Sequence, residues 1–260
     1  MFKINNKIIG ISLQKYTLKE HLVELKKRLF KIVVFFIMSF GIAYFFKEAI
    51  FEFFLGPLVE LSVEGKRKII YTGLSEAFFS YIKLAMFSSF LVTVPYICYH
   101  IYSFLAPGLH CFERKIVLTV LVFSPILFYC GGFFVFYVVM PKAWEFFLSY
   151  ENSNAILPLV MEARISEYLS LVMQLTIAFG VAFQLPIIMV ILSVVGIIDS
   201  SFLKKNRRVA IVIIFIVAAI FTPPDVISQI AMAIPLLFLY EVSIILCKSV
   251  EKKRIKNVRY

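Results

Sequence analysis

The sequence predicts an all-α polytopic membrane protein with six transmembrane helices and both termini on one side. Three observations carry that expectation. Hydrophobic residues make up 61% of the 260 residues and the mean hydropathy is +0.92, whereas soluble domains are about 45–50% apolar. The chain also holds several apolar runs matching the ~20 helical residues that span ~30 Å of hydrocarbon. Finally, lysine and arginine alternate in density between successive loops.

In order, the expected spans are 29–46, 79–102, 116–140, 168–195, 209–222 and 227–247, in a single domain over 1–260. Ahead of span one, "TLKEHLVELKKRLF" opens with Thr17 and Glu20 at capping-box spacing. Leu18, Leu22, Leu25 and Leu29 share one helical face, and Glu20, Glu24 and Arg28 another. This predicts an amphipathic helix lying along the membrane surface before it enters span one. No small-residue cleavage site follows the first apolar run, so no cleavable signal peptide is expected.

The connection 47–76 is long enough for a helical cap, with a bend at Gly56-Pro57. Span two carries one charge, Lys83, which snorkels towards the outer interface. The loop "SFLAPGLHCFERK" (103–115) contains Pro107 and ends in Glu113, Arg114 and Lys115. Span three is uncharged, and the connection 141–167 again has room for a cap. Span four is uncharged but holds Gln184, with Pro186 implying a kink.

Residues 209–240 are ambiguous. As one span they would place Asp225 and two prolines, Pro223 and Pro224, near the middle. As a hairpin they turn at Thr222–Asp225, with Asp225 capping the next helix. The basic residues decide. With a hairpin, the segments on the side of the termini hold seven Lys/Arg in 1–28, two in 103–115, four in 199–208 and six in 248–260. Those 19 face 6 on the other side, and a single span would leave 13 against 12. The positive-inside rule therefore selects six spans with both ends cytoplasmic. Spans five and six are short, and a 13-residue run, 209–221, covers only about 20 Å, which thins the bilayer locally.

The net charge of +11 lies in short blocks between apolar runs, a topology signal rather than a nucleic-acid stripe. Four cysteines without a CxxC pair signal neither metal nor disulfides, and no cofactor is expected. His21, His100 and His110 are scattered, and no zinc-protease, serine-hydrolase or nucleotide-loop motif occurs. No enzyme is expected.

Two carboxylates stand out at the basic rim, Glu24 and Glu113. Each has an ordinary reading, as an i,i+4 pair with Arg28 or as a solvated charge beside Arg114. Together they could accept adjacent guanidinium groups by bidentate hydrogen bonds, with Phe104, Pro107 and Leu109 as an apolar wall. Gln184 serves either as an interhelical hydrogen bond or as part of a partner groove.

Four segments, "HLVELKKRL" (21–29), "SFLAPGLHCFERK" (103–115), "AFGVAFQLP" (178–186) and "FTPPDVISQIAMAIP" (221–235), resemble the signature segments of the TatC family. This is the multispanning receptor subunit of the twin-arginine translocase, and the similarity runs in order over essentially the whole chain. The resemblance implies binding of twin-arginine signal peptides on folded cargo at Glu24 and Glu113, flanked by Phe104 and Leu109. It implies single-span partners of the TatA and TatB type, a homo-oligomer within a larger complex, and export driven by the proton-motive force without ATP. The setting it implies is the bacterial cytoplasmic (inner) membrane. It makes Gln184 a partner-subunit contact, with Gly56, Pro57, Pro107, Pro223, Pro224 and Asp225 as structural positions.

The chain departs from the family pattern where many members carry a glutamate in place of Gln184, so titration at that position is in doubt. Lys26 and Lys115 stand where arginines are common, which weakens any bidentate contact there. The competing class is a secondary transporter of a small solute or ion, which also uses broken helices. No inverted repeat and no firmly mid-depth ionisable residue supports it. A purely structural scaffold, as a third class, would leave both glutamates freely replaceable.

Overall fold

No proline and no glycine interrupts residues 18–40, and nothing else in that stretch obliges a helix to break. In the computed structural model, which describes residues 18–60, 70–108, 111–151, 162, 164–221 and 226–258, it is one continuous helix, α1 (Leu18–Phe45). The amphipathic segment therefore runs into span one as expected, and Glu24 rides on the same rod. Thr17 lies outside the described residues.

The element changes at Phe46, after which α2 (Lys47–Glu60) runs through Gly56-Pro57 and ends one turn later. A proline there removes one i→i−4 bond, at a point where the helix is about to end. Helix α3 (Glu76–Leu105) returns along α1, with Phe35 stacked on Tyr96 at 4.6 Å. A 3₁₀ turn, Ala106–Gly108, holds Pro107. Helix α4 (Cys111–Phe134) passes through a π-helical turn, Val135–Val139, into α5 (Met140–Leu148).

Span four is two helices, α6 (Ile165–Ala182) and α7 (Leu185–Val195). The break at Phe183-Gln184 precedes Pro186, which cannot donate to the carbonyl four residues back. Gly196, at φ 85°, ends α7 in the left-handed conformation that glycine adopts without strain. A short helix α8 (Ser200–Lys205) leads to α9 (Arg207–Phe221) and α10 (Val226–Val258). The pairs Arg207–Glu241 (2.7 Å) and Gln229–Phe215 carbonyl (3.1 Å) make the last two helices antiparallel. Pro223, Pro224 and Asp225 fall between them, outside the described residues.

Five helical stretches among the described residues are long and apolar enough to cross a membrane: Lys19–Phe45, Glu76–Leu105, Arg114–Leu148, Ile165–Val195 and Met232–Lys252. The chain is thus an all-helical, multi-pass membrane protein. Helix α9 is shorter, at 15 residues, or about 22 Å.

Helices α3, α4 and α6 meet at the centre, where Leu84, Leu175 and Phe179 are fully buried. Around them large apolar side chains such as Phe30, Met38 and Phe45 are exposed, as expected where lipid rather than water covers the surface. Helices α4 and α6 cross closely. A Cβ on Gly131 would sit 2.7 Å from the Phe179 carbonyl oxygen, and one on Gly180 would sit 2.6 Å from the Phe128 ring. Small residues at a crossing let two backbones approach this closely.

At the end of the bundle away from residue 18, polar bonds tie four elements together. The Glu76 carboxylate accepts from the Thr72 and Gly73 amides (2.8 and 3.2 Å) and from the Ser166 hydroxyl (2.6 Å). Ile70 and Arg164 form an isolated β-bridge. Tyr168, 2% exposed, stacks on Trp144 at 5.2 Å and donates its phenol to the Phe54 carbonyl. Tyr168→Phe removes the bond that ties α6 to the Phe54 carbonyl of α2. It is expected to cost about 0.5–1.5 kcal/mol, read as a lower thermal midpoint of the detergent-solubilised protein. An unchanged midpoint would show that the Tyr168 phenol does not hold the cap together.

Candidate functional site

The bundle end that contains the start of α1 gathers most of the rim residues identified in the sequence. Glu24 lies two turns into α1, one turn before Arg28, so an i,i+4 contact is built into the helix. Arg28 donates to Glu24 Oε1 through Nε (3.0 Å) and Nη2 (2.5 Å). The contact is more than a helix pair, because Nη2 also donates to the Ser103 backbone carbonyl at 3.0 Å, 75 residues away. That carbonyl is in the last turn of α3, where no intrahelical donor remains for it. Glu24 and Arg28 are half-buried, their side chains 27% and 22% exposed.

Phe104, next along α3, stacks on His21 with ring centroids 4.1 Å apart and planes 19° from parallel. The spacing His21, Glu24, Arg28 puts all three on the α1 face turned to the end of α3. Helix α4 joins the group through Arg114, whose Nε donates to the Tyr102 hydroxyl at 3.3 Å. Glu113 falls in the first turn of α4, but its side chain, like Leu109, lies outside the described residues. Pro107 is exposed in the 3₁₀ turn. The structure therefore brings Glu24 and Phe104 together.

The sequence did not reveal the Ser103 carbonyl or the His21–Phe104 stack as parts of this site. One signal was available. Position 28 is an arginine after two lysines, and only a guanidinium can serve a carboxylate and a carbonyl at once in fixed geometry.

Gln184 sits at the α6–α7 break and is fixed by Ser124 on α4. The Ser124 hydroxyl donates to Gln184 Oε1 (2.5 Å), and Gln184 Nε2 donates to the Ser124 carbonyl (3.0 Å). Cys98 Sγ lies 3.4 Å from the same hydroxyl. Of the two uses expected for Gln184, the structure supplies the interhelical one. Among the described residues, no group of three or more His, Cys, Asp or Glu is placed to hold a metal ion.

Residues 20–235 match the family model described as Sec-independent protein translocase protein (TatC). The chain belongs to the TatC family. It is 54% identical over 245 residues to the Sec-independent protein translocase protein TatC of Rickettsia prowazekii, covering 94% of this chain and 98% of that one. The TatC of Escherichia coli K12 is 36% identical over 224 residues, 86% of this chain and 85% of its own. A crystal structure of the twin arginine translocase receptor TatC superimposes with a TM-score of 0.73 at 34% identity, over 89% of this chain and all of the other. The TatC fold thus accounts for the helix order, and the rim cluster of Glu24, Arg28 and Phe104 lies within the matched residues.

Proposed function

We propose that this chain is the signal-receptor subunit of a twin-arginine translocase. It binds the arginine pair of signal peptides on folded cargo at Glu24 and Glu113, and the adjoining apolar stretch of the peptide packs against Phe104 and Leu109. The observation that best supports this reading is the state of Glu24, whose carboxylate already holds a guanidinium, that of Arg28, at the half-buried end of the bundle. A carboxylate that accepts one guanidinium has the chemistry to accept another.

On this reading six spans cross a bacterial inner membrane with both termini cytoplasmic, α9 being the fifth. The basic-residue bias supports that orientation, and the short α9 leaves a thin zone of bilayer. Single-span subunits of the TatA and TatB type assemble there, as do further copies of this chain, and the proton-motive force drives export. The chain itself performs no catalysis. Gln184 keeps one amide N–H and one carbonyl lone pair beyond its bonds to Ser124, which a partner's span can use. Gly56-Pro57, and on the sequence expectation Pro223, Pro224 and Asp225, serve the opposite end as structural positions.

The test is replacement in a bacterium whose own multispanning Tat subunit has been deleted. The chain, expressed with matching single-span partners, is expected to restore export of a folded reporter that carries an arginine-pair signal. Export that stays absent although the chain is inserted and stable would overturn the proposal.

A further inference from the structure

We infer that the groove between α4, α7 and α10 is a binding site for one anionic phospholipid, with its phosphate on Lys115 and an acyl chain between the helices.

Helices α4 and α10 both pack on α7, and a groove of about 430 Å³ opens between them. Ile116 and Val120 of α4 and Leu246 and Val250 of α10 form its walls, and Val190 of α7 its floor. Lys115 stands at the mouth, one turn into α4. Its neighbour Arg114 bonds to Tyr102 near the end of α3, so the mouth opens at the same end of the bundle as Glu24.

Three observations choose the occupant. The walls ask for no hydrogen bond from it. Two hydroxyls line the groove, and each already donates to its own helix: Thr119 to the Lys115 carbonyl (2.9 Å) and Ser249 to the Ile245 carbonyl (3.0 Å). Such a lining suits hydrocarbon.

The charge at the mouth has one sign. Lys115 is exposed, and so is Lys252, one turn beyond Ser249 on α10. Among the described residues, no carboxylate lines the groove. Glu251 is turned to α8, where it accepts from the Ser200 amide and, at 2.6 Å, from the Ser200 hydroxyl.

The order of these features is also that of a lipid. The ammonium lies at the helix end, and the apolar walls run from it into the membrane, as a phosphate lies above its chains. Basic pockets between transmembrane helices hold anionic headgroups in this way, each lysine favouring the anion about fivefold.

The test uses the full chain in phosphatidylcholine vesicles that contain a trace of phosphatidylglycerol with a photoreactive acyl chain. Labelled residues are mapped by mass spectrometry while unlabelled phosphatidylglycerol or phosphatidylcholine of the same chains competes. Label is expected to concentrate on residues 115–120 and 246–250, with phosphatidylglycerol the better competitor by about fivefold or more. Lys115→Gln should lower that advantage about fivefold, and Lys115→Arg should keep it. Lys115 is exposed, so neither change disturbs the core. Label spread evenly over the lipid-facing helices, or an advantage that Lys115→Gln leaves unchanged, would overturn the inference. So would clearance of the label from the groove by a co-reconstituted single-span subunit, which would assign the groove to that protein.

Discussion

Replacing Gly131 with leucine is expected to abolish the native packing of α4 on α6, leaving protein that aggregates on extraction from the membrane. The cause is local and steric. A Cβ at this position would lie 2.7 Å from the Phe179 carbonyl oxygen and 2.9 Å from its carbon, atoms of a helix backbone that cannot rotate away. The two helices must separate, and Leu175 and Phe179, both fully buried, lose their packing with them. Alanine, with the Cβ alone, is expected to cost about 1–3 kcal/mol, the usual range for an overpacked core. Gly180→Ala should cost less, since its Cβ would meet the Phe128 ring, a side chain that can shift. Gly41→Ala is the control, because nothing lies within 4 Å of its Cβ. Size-exclusion profiles and thermal midpoints in detergent rank the four variants. A Gly131→Leu protein with the wild-type profile would show that the close approach of α4 and α6 is dispensable.

Removing Glu24 and Glu113 together is expected to eliminate binding of an arginine-pair peptide while leaving the fold intact. Each carboxylate is proposed to form a charge-assisted contact with one guanidinium, and such hydrogen bonds contribute roughly 1.5–3 kcal/mol each. Loss of one contact weakens binding by about 10–100-fold, and loss of both by about 10²–10⁴-fold. For Glu24→Ala the geometry adds a further effect. Arg28 loses its carboxylate and becomes a free cation beside the peptide's own charges, although its bond to the Ser103 carbonyl holds it in position. Glu24→Ala should therefore be the more damaging single change. Glu52→Ala, exposed on α2 at the opposite end, should leave binding unchanged. Titration of a labelled peptide into nanodisc-embedded variants gives the four affinities. A double variant that binds within threefold of the wild type (about 0.65 kcal/mol) would contradict the assignment.

Much of the fold was legible because a bilayer is a demanding solvent. Long uncharged runs such as 116–140 have no alternative to helix in hydrocarbon, where every backbone group must be satisfied within its own segment. Pro186 announced the interruption of span four, and the structure places it at Phe183-Gln184. Other features were invisible for a common reason, which is that they join residues far apart in sequence. Glu76 meets Ser166 across 90 positions, Arg28 meets the Ser103 carbonyl across 75, and Ser124 meets Gln184 across 60. No periodicity encodes such contacts. The amphipathic segment, expected to lie along the surface and run into span one, illustrates the converse: it does run on without a break, as one helix. Amphipathicity reports which face is polar, whereas only a breaker reports where a helix stops, and residues 18–40 contain none.

The candidate site divides in the same way. Glu24 and Phe104 were identifiable from the four segments that resemble the TatC family, and the structure sets them at one end of the α1–α3 pair. What Glu24 contacts in the folded chain could not be read from spacing. The i,i+4 relation to Arg28 was evident, but its burial and its third ligand were not.

The most direct measurement is photo-crosslinking in membranes, with photoreactive phenylalanine analogues at Phe104 and Leu109 and a signal peptide carrying an arginine pair. It is run on the wild type and on chains with Glu24→Ala, Glu113→Ala or both. A signal receptor of this design gives crosslinks that require the arginine pair and disappear when both carboxylates are removed. Equal crosslinking to a twin-lysine peptide, with no dependence on Glu24 or Glu113, would contradict it.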